Sequence, residues 1–375
     1  MSKTYNKIVL ALGKLIMAVH LVRRFNPWRR KVVLIDKSDG LGDVLLFLPY
    51  LQVIRNHFPM EKYIITILAR PQTAEIFTLQ KCADKIVAIP PYRNKLQWLF
   101  FRLIFWIKTP CDVLIMTWGQ RDLLDPYRSQ SKIAFTYHNS ADDPCNRFLT
   151  RKRLIYIDGL TIYERFQNYL ERADIKEKPE PYDYRFLIHM PPELSIRQKY
   201  IVVCPGASTP IRQWPASKFC DLLDLLQQHF SQKIVLVGTV QEKEQCDYIC
   251  VHAKNGSSFI NLCGQTVLRT LFGIINNADF IISNDTGTAH IGAVLKKKVF
   301  VIAGGGDYRA FFPYPAGIEG KYVFSIFRNG DHSCFPCSWQ MPCCGNNKKK
   351  TAPCISDISV KQVFNTVIAN WKTND

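Results

Sequence analysis

The stretch that decides the fold begins at Lys31 and consists of an apolar run, a glycine-containing loop and a helix-forming segment. The apolar run is Val32-Val33-Leu34-Ile35, and the loop is Ser38-Asp39-Gly40-Leu41-Gly42-Asp43. A short, continuous run of β-branched and aliphatic residues is typical of a strand that is covered on both faces. A strand, a loop and a helix in this order open a βαβ unit. This stretch therefore predicts an α/β sheet with parallel strands.

The same alternation continues along the chain in two series. Further strand-like runs lie at residues 63–68, 85–89 and 112–116, and a second series lies at 200–204, 233–237, 259–262, 280–283 and 299–303. Residues 176–184 separate the series. They are charged and rich in proline, which cannot continue a helix, and they predict a linker. Because open α/β sheets bind ligands beyond the carboxyl ends of their strands, we expect the active site there, between two domains.

Length and composition support two domains but leave the class of partner open. The 375 residues exceed what one hydrophobic core usually organises, and the hydrophobic content of 47% is that of an ordinary globular protein. The chain has 49 Lys and Arg residues against 31 Asp and Glu residues, which gives a formal net charge of +18. Such an excess concentrates anionic partners. Nucleic acid, an anionic membrane and phosphorylated substrates all remain candidates.

The cysteines and the N-terminus indicate a cytosolic protein. The 13 cysteines occur in a chain that is long enough for a real core, whereas disulfide scaffolds are short, so reduced thiols are expected. The apolar stretch from Ile8 to Val22 is interrupted by Lys14 and His20 and has no small-residue cleavage site. It fits neither a signal peptide nor a spanning helix, which needs about 20 apolar residues.

Three loops at predicted strand ends carry the chemistry. The first is the loop ending in Asp43, and that residue by itself is better explained as a helix cap. The second is Cys204-Pro205-Gly206-Ala207-Ser208-Thr209-Pro210-Ile211-Arg212-Gln213-Trp214-Pro215. Its hydroxyls and its cation suit a diphosphate. Its spacing alone is explained equally well by a simple connection from a strand to a helix. The third is Ser283-Asn284-Asp285-Thr286-Gly287-Thr288-Ala289-His290, where free backbone N–H groups at a helix start suit a phosphate.

In this order and at these separations, the three loops resemble glycosyltransferase family 9, the family of the ADP-heptose:lipopolysaccharide heptosyltransferases. The resemblance spans residues 32–303. It implies the α/β GT-B fold, with two Rossmann-like domains facing each other across a cleft. It also implies inverting sugar transfer from a nucleotide-sugar without a metal or other cofactor. No Asp-x-Asp element at a strand end offers ligands for a metal-held diphosphate, the alternative solution.

The resemblance assigns two catalytic residues. Asp43 matches the family's catalytic aspartate, which deprotonates the acceptor hydroxyl as general base. Arg212 lies where the family commonly has a lysine before Trp-Pro, a cation that neutralises the diphosphate leaving group. Arginine keeps the charge but offers a planar fork, which puts the details of phosphate contact in doubt. Gly40 and Gly42 belong to the same acceptor-side loop as Asp43.

The other matched residues are implied to bind the donor. Glu242 matches an acidic position that contacts the ribose hydroxyls, and His290 ends the family's Asp-Thr-Gly-x-x-His signature. The full donor set is Ser208, Thr209, Glu242, Thr266, Asp285, Thr286, Gly287 and His290. We expect ADP-heptose as the donor and a lipopolysaccharide-core or related glycolipid as the acceptor.

The domain boundaries follow from the linker and the resemblance. Residues 1–30 form a basic amphipathic segment, and residues 31–178 form the acceptor-side domain. Residues 179–356 form the nucleotide-sugar domain, with a cysteine-rich loop at 334–354. Residues 357–375 form a helix that packs back onto the N-terminal domain. In the loop, Cys334, Cys337, Cys343 and Cys354 are candidate ligands of a structural metal, although a reduced surface loop is the simpler interpretation.

Two apolar segments suggest a membrane surface. Residues 8–22 are flanked by basic residues only, and Leu96 to Ile107 lies between Lys95 and Lys108. Tryptophan and basic residues favour the lipid interface, although a buried core helix explains the second segment nearly as well. We therefore expect a cytoplasmic protein that is peripheral on the inner face of the cytoplasmic membrane.

Two readings compete with an active transferase. A nucleic-acid-binding protein would need basic grooves interleaved with aromatic residues or a recognised binding motif, and the sequence has neither, so no nucleic acid partner is expected. A degenerate family member that binds a nucleotide-sugar without transferring it is disfavoured by the presence of Asp43 and Asp285. A family member that uses another nucleotide-sugar stays open, because pocket shape selects the sugar.

Overall fold

The chain divides into two compact units. The structure, a computed structural model, describes residues 9, 11–16, 18, 20, 26, 28–116, 134–135, 161–172, 175–191, 194, 196–306, 308–315, 317–330, 335, 337 and 350–372. The first unit comprises residues 1–158 and 163–182, and the second comprises residues 159–162 and 183–375. The boundary between Tyr182 and Asp183 falls inside the charged, proline-rich segment.

The first unit is built on a parallel sheet. Its strands are β1 (Lys31–Lys37), β2 (Tyr63–Ala69), β3 (Lys85–Ala88), β4 (Val113–Met116) and β5 (Ala134–Phe135), in the order β3-β2-β1-β4-β5. The helices are α1 (Leu41–His57), α2 (Pro71–Gln80), α3 (Lys95–Lys108) and α4 (Ile162–Arg172). Val33, Leu34 and Ile35 in β1 are fully buried, as expected for a strand covered on both faces.

The register of this sheet places β1 at its centre. Val33 pairs with Ile65 of β2 on one side and with Val113 of β4 on the other. The winding of the chain therefore reverses beside β1, and the loop that leaves β1 lies at the position where open α/β sheets hold their ligands.

The second unit contains a six-stranded parallel sheet. Its strands are β6 (Tyr200–Cys204), β7 (Lys233–Leu236), β8 (Ile260–Asn261), β9 (Ile281–Asn284), β10 (Val299–Ile302) and β11 (Val323–Ile326), in the order β11-β10-β9-β6-β7-β8. The helices are α5 (Ala216–Gln227), α6 (Lys243–His252), α7 (Leu268–Asn277), α8 (Gly287–Val294), α9 (Pro353–Ser356) and α10 (Val360–Asn370). The winding reverses at β6, which pairs with β7 and β9.

The last helix packs into the core of the second unit, and the expected packing onto the N-terminal domain stays a prediction. Its contacts are with α5, β10 and β11. Val363 and Val367 are fully buried in the core of the second unit. The ring centres of Trp371 and Phe230 lie 4.8 Å apart. The apolar stripe of this helix thus covers part of the second unit's core.

The sequence left open whether the segment 96–107 is a buried core helix or a membrane-facing helix, and the structure buries one of its faces and exposes the other. This segment forms most of α3, which buries Trp98, Arg102, Phe105 and Trp106 and exposes apolar residues elsewhere on its surface. The two tryptophans, which favoured a lipid interface in the sequence, are therefore core residues. The described residues between 9 and 20 are helical, and Val9 and Ile16 pack into the same cluster as Trp98 and Trp106. None of the helices within the described ranges is long and apolar enough to cross a bilayer.

Candidate functional site

The second sheet collects the candidate donor residues at its carboxyl edge. Because all of its strands are parallel, the loops that follow β6, β7, β8 and β9 leave the sheet on the same side. These four loops and the start of α8 contain every donor residue that the sequence predicted. The loops after β6 and β9 leave neighbouring strands beside the reversal of the winding, where a crevice forms.

The loop after β6 carries the candidate cation and hydroxyls. Pro210–Arg212 forms one 3-10 turn, which closes with a hydrogen bond of 3.1 Å from the Arg212 N–H to the Thr209 carbonyl. Ser208 is exposed, and Thr209 and Arg212 are half-buried. The hydroxyl of Thr209 makes no capping bond to this turn. The guanidinium thus sits on a short, closed turn, and both hydroxyls lie directly before that turn.

Asn284, the last residue of β9, ties this loop to the neighbouring strand. Its amide Nδ2 donates to the Pro205 carbonyl at 2.5 Å and to the Gly206 carbonyl at 3.2 Å. Its Oδ1 accepts from the Trp214 N–H at 3.2 Å. The side chain is fully buried, so one amide fixes both ends of the loop. Asn284 lies inside the third motif, but the sequence analysis assigned it no role. An amide side chain at the end of a buried strand is the signal that could have indicated one.

Glu242 brings the loop after β7 against the loop after β6. It ends the 3-10 turn Val240–Glu242, and its carboxylate accepts hydrogen bonds from the Thr239 N–H and, at 2.6 Å, from the Thr239 hydroxyl. A Cβ atom added at Gly206 would lie 2.2 Å from the Glu242 Cγ. Glycine at 206 is therefore required by the close approach of Glu242, and the two loops form one surface.

Asp285 and His290 lie together at the start of α8. Asp285 directly follows β9, and both side chains are buried. The Nε2 atom of His290 lies 3.9 Å from the Asp285 Oδ1 atom. The other ring nitrogen, Nδ1, is hydrogen-bonded to the Tyr314 hydroxyl, and the imidazole stacks on Phe312 with ring centres 5.3 Å apart. This packing fixes the orientation of the imidazole.

Thr286 caps α8 and leaves the first turn of that helix facing the carboxyl edge. Its hydroxyl accepts from the Thr288 N–H at 3.3 Å and lies 3.1 Å from the Ser283 hydroxyl. Gly287 is the first residue of the helix. Since the positive end of a helix dipole and free N–H groups favour anions, this start can receive a phosphate. Thr266 is half-buried in the loop between β8 and α7 on the same edge.

The predicted acceptor-side residues lie at the N-terminus of α1. Gly40 precedes the helix, Gly42 is buried, and Asp43 is half-buried in the first turn. A Cβ atom at Gly40 would lie 3.3 Å from the Asp43 Oδ2 atom, so the carboxylate folds back over the start of the helix. This location favours a negative charge. The helix start and the reversal of the winding beside β1 place Asp43 at the carboxyl edge of the first sheet.

A buried charged group under this loop was missed by the sequence analysis. The Lys37 ammonium lies 2.5 Å from the Asp39 carboxylate, and both side chains are buried. The ammonium also lies over the rings of Phe47 and Phe166, at 5.1 and 4.8 Å from their centres. Burial, with a further contribution from the charge of Asp39, raises the pKa of Asp36 to about 6. Four consecutive polar residues after an apolar run, Asp36 to Asp39, were the available signal.

The cysteine-rich loop is only partly described. Cys334 and Cys343 lie outside the described residues. Cys337 and Cys354 are half-buried, and the Cys354 Sγ accepts from the Gly305 N–H at 3.4 Å. Within the described part of the chain, no three or more His, Cys, Asp and Glu side chains are grouped so that they could hold a metal ion. Coordination of a metal by this loop stays a prediction.

Comparisons with known proteins match the region that carries the candidate donor residues. The model of the family Glycosyltransferase family 9 (heptosyltransferase) matches residues 167–317. Lipooligosaccharide heptosyltransferase 2 of Campylobacter jejuni is 28% identical over 200 residues, which cover 52% of this chain and 58% of that protein. The alignment thus spans little more than half of the curated relative. The resemblance seen in the sequence is confirmed over the matched region.

Solved structures extend the likeness of fold to nearly the whole chain. The glycosyl transferase family 9 structure from Veillonella parvula has a TM-score of 0.65 at 15% identity and covers 92% of this chain and 98% of its own. The Escherichia coli heptosyltransferase WaaC with ADP-2-deoxy-2-fluoro heptose has a TM-score of 0.62 at 18% identity and covers 90% and 99%. At these identities the likeness shows the fold, which is the GT-B type predicted from the sequence.

Proposed function

We propose, from the premise that residues 167–317 form a glycosyltransferase family 9 region, that the chain is an inverting glycosyltransferase. It moves a heptose from ADP-heptose onto a lipopolysaccharide-core or related glycolipid acceptor. One observation carries the proposal: the matched region contains all four loops that meet at the carboxyl edge of the second sheet. The C. jejuni relative is a heptosyltransferase and the WaaC structure contains an ADP-heptose analogue, which supports this donor.

On the donor side, each loop supplies one part of the recognition. The Arg212 guanidinium and the Ser208 and Thr209 hydroxyls bind the diphosphate, because charge-assisted hydrogen bonds to phosphate are strong. The N–H groups at the start of α8 bind it from the neighbouring loop. When the donor binds, the Glu242 carboxylate gives up its hydrogen bonds from Thr239 and accepts hydrogen bonds from the ribose hydroxyls instead.

In the proposed reaction, Asp43 of the first unit acts on the acceptor, and Asp285 and His290 of the second unit act on the sugar. The acceptor hydroxyl forms a new bond to the anomeric carbon while the bond from that carbon to the diphosphate breaks. Asp43 takes the hydroxyl proton, and ADP leaves with its added negative charge neutralised by Arg212. Attack from the face opposite to the diphosphate inverts the anomeric configuration. Asp285 and His290 orient the sugar.

We also propose that the protein works in the cytoplasm, attached to the inner face of the cytoplasmic membrane without spanning it. The net charge of +18 would attract the protein to anionic lipid, and a glycolipid acceptor lies in such a surface. Attachment through charge must weaken as salt rises, because the Debye length falls from about 10 Å at 0.1 M to about 3 Å at 1 M.

A donor screen tests the proposed activity. The purified chain is heated with ADP-heptose, ADP, UDP-sugars and a short oligonucleotide, and the unfolding temperature is measured. A ligand at 100 times its dissociation constant adds about 2.7 kcal/mol to the stability of the folded state. We expect stabilisation by ADP and ADP-heptose and transfer of radiolabelled heptose to a truncated core acceptor. Stabilisation by the oligonucleotide alone, or by a UDP-sugar in place of ADP-heptose, would contradict the assignment.

Arg212 provides a sharper test of the donor site. Arg212→Ala should weaken ADP binding by about tenfold or more, because a charged hydrogen bond to phosphate contributes about 1.5–3 kcal/mol. Arg212→Lys should restore part of this affinity, and Ser217→Ala, an exposed change nearby at the start of α5, is the control. Binding is measured by calorimetric titration. Unchanged ADP affinity in Arg212→Ala would remove Arg212 from the donor site.

A further inference from the structure

The helix α3 has an apolar face on each side. One face packs into the core of the first unit through Trp98, Phe105 and Trp106. The outer stripe of α3, which we define as Leu96, Phe100, Ile104 and Ile107, is exposed, with 60, 57, 51 and 54% of these residues accessible to solvent. Their spacing of four, four and three positions places them in one row along the helix. At 1.5 Å per residue, the row is about 16 Å long.

Cations border the outer stripe at both ends. Arg93 and Lys95 are exposed at the start of α3, and Lys108 is exposed at its end. No aspartate or glutamate occurs between Lys85 and Cys111. A row of apolar side chains with only positive charge at its borders is the pattern of a helix that lies in the interface of an anionic bilayer.

The position of α3 is fixed, so that the outer stripe cannot turn inward. Trp98 and Trp106 pack against Leu34 of β1 and Leu114 of β4 within one core cluster. The His20 Nε2 atom is hydrogen-bonded to the Trp106 carbonyl at 2.8 Å, which joins the N-terminal helical residues to α3. Rotating the stripe into the core would expose two buried tryptophans. Within the described residues, the stripe therefore stays exposed unless a partner covers it.

We infer that the outer stripe of α3 is the element of this chain that enters the headgroup region of an anionic membrane. The inference rests on the proposed peripheral attachment and names the surface that makes it. A second copy of the chain is a poor occupant, because two stripes packed against each other would bring cationic borders together, and like charges across an interface are unfavourable. Anionic headgroups neutralise those borders while the acyl region receives the apolar row.

Vesicle binding by a stripe variant tests the inference. The full chain is sedimented with vesicles of phosphatidylethanolamine and phosphatidylglycerol in equal parts, at low salt. The double variant Phe100→Gln with Ile104→Gln keeps the helix-forming tendency of α3 and changes exposed positions only. We expect it to bind the vesicles about tenfold more weakly than the unchanged chain. The control, Val251→Gln, changes a still more exposed apolar residue on helix α6 of the second unit and should bind as the unchanged chain does.

Four outcomes decide the inference. Weaker vesicle binding by the double variant, with ADP binding unaltered, supports it. Equal vesicle binding by the double variant and the unchanged chain overturns it and moves attachment to another surface. Absence of vesicle binding by the unchanged chain overturns both the stripe and the proposed attachment, while ADP binding still reports on the proposed activity. An unchanged chain that is dimeric in sedimentation, paired with a monomeric double variant, assigns the stripe to self-association instead.

Discussion

Asp36, near the end of β1, is a fully buried carboxylate beside a second acidic residue. Its Oδ1 atom accepts from the Ser38 N–H at 3.1 Å, and desolvation outweighs this bond, so that its pKa rises to about 6. A raised pKa in the folded state means that the folded chain holds this proton more tightly than the unfolded chain does. The contribution of Asp36 to stability is thus present below pH 4 and is lost as the pH rises through about 6.

Asp36→Asn should remove this pH dependence. Relative to the variant, the unchanged chain should lose about 3 kcal/mol of unfolding free energy between pH 4 and pH 7, at about 1.4 kcal/mol for each pH unit between the two pKa values. Urea unfolding of both proteins at several pH values measures the difference. The amide keeps an acceptor for Ser38. Parallel pH profiles of the two proteins would show that Asp36 does not titrate in this range.

Asp43 is the residue on which proposed transfer depends most. Asp43→Asn keeps the size of the side chain at the start of α1 but cannot accept the acceptor's proton. Transfer should fall by about 10²- to 10⁴-fold, the usual contribution of a general base, and ADP affinity should stay unchanged because the donor loops belong to the second unit. Single-turnover transfer and ADP titration check the two halves of this prediction. Turnover close to that of the unchanged chain would assign the carboxylate to helix capping alone.

The residues that sequence reasoning did not find act through tertiary contacts. Asn284 joins both ends of a loop that lies 70 to 79 residues earlier in the chain, a contact that local sequence does not show. Lys37 and Asp39 are charged residues whose pairing depends on the burial of the loop by Phe47 and Phe166. Motif spacing, by contrast, depends on the local order of the chain, and this is why Asp43, Arg212 and the third loop could be selected in advance.

At the scale of the elements, the loop after β6 tolerates little added side-chain volume at Gly206. Gly206→Ala would place a Cβ atom within 2.2 Å of Glu242, so either the loop or the 3-10 turn must move. Overpacking of this kind typically costs about 1–3 kcal/mol. We expect weaker ADP binding together with a lower unfolding temperature of the second unit, measured by titration and by calorimetry. Unchanged ADP affinity in Gly206→Ala would mean that the close contact between Gly206 and Glu242 is not needed for ADP binding.

Strands and helices were predicted well where apolar periodicity is strong, and poorly where pairing is non-local. Strand β6 begins and ends at the predicted residues, and most other elements shift by one to three positions. Helix α6 starts only at Lys243, because the Thr239 and Glu242 side chains form a capping box around the preceding 3-10 turn. Strand β11 was missed, since four residues after an irregular segment become a strand only through pairing with β10.

At the scale of the whole molecule, each unit has its own sheet and its own buried core. Two transitions are therefore expected in calorimetry. Bound ADP should raise only the unfolding temperature of the second unit. Deletion of residues 1–25 should lower only the unfolding temperature of the first unit. The physical reason for the second effect is that Val9 is buried in the first unit's core and His20 bonds the Trp106 carbonyl. A single transition that responds to both changes would show that the units unfold as one.

The packing of α10 also has a consequence for how the protein is made. Strand β6 emerges from the ribosome long before β9, its parallel neighbour, and the core beneath both is closed by Val363 and Val367. At about 5–20 residues per second, roughly ten to thirty seconds separate the appearance of β6 from that of Trp371. During this interval the nascent second unit carries uncovered apolar surface. The second unit thus completes its core last, and its apolar surface is the one more open to aggregation during synthesis.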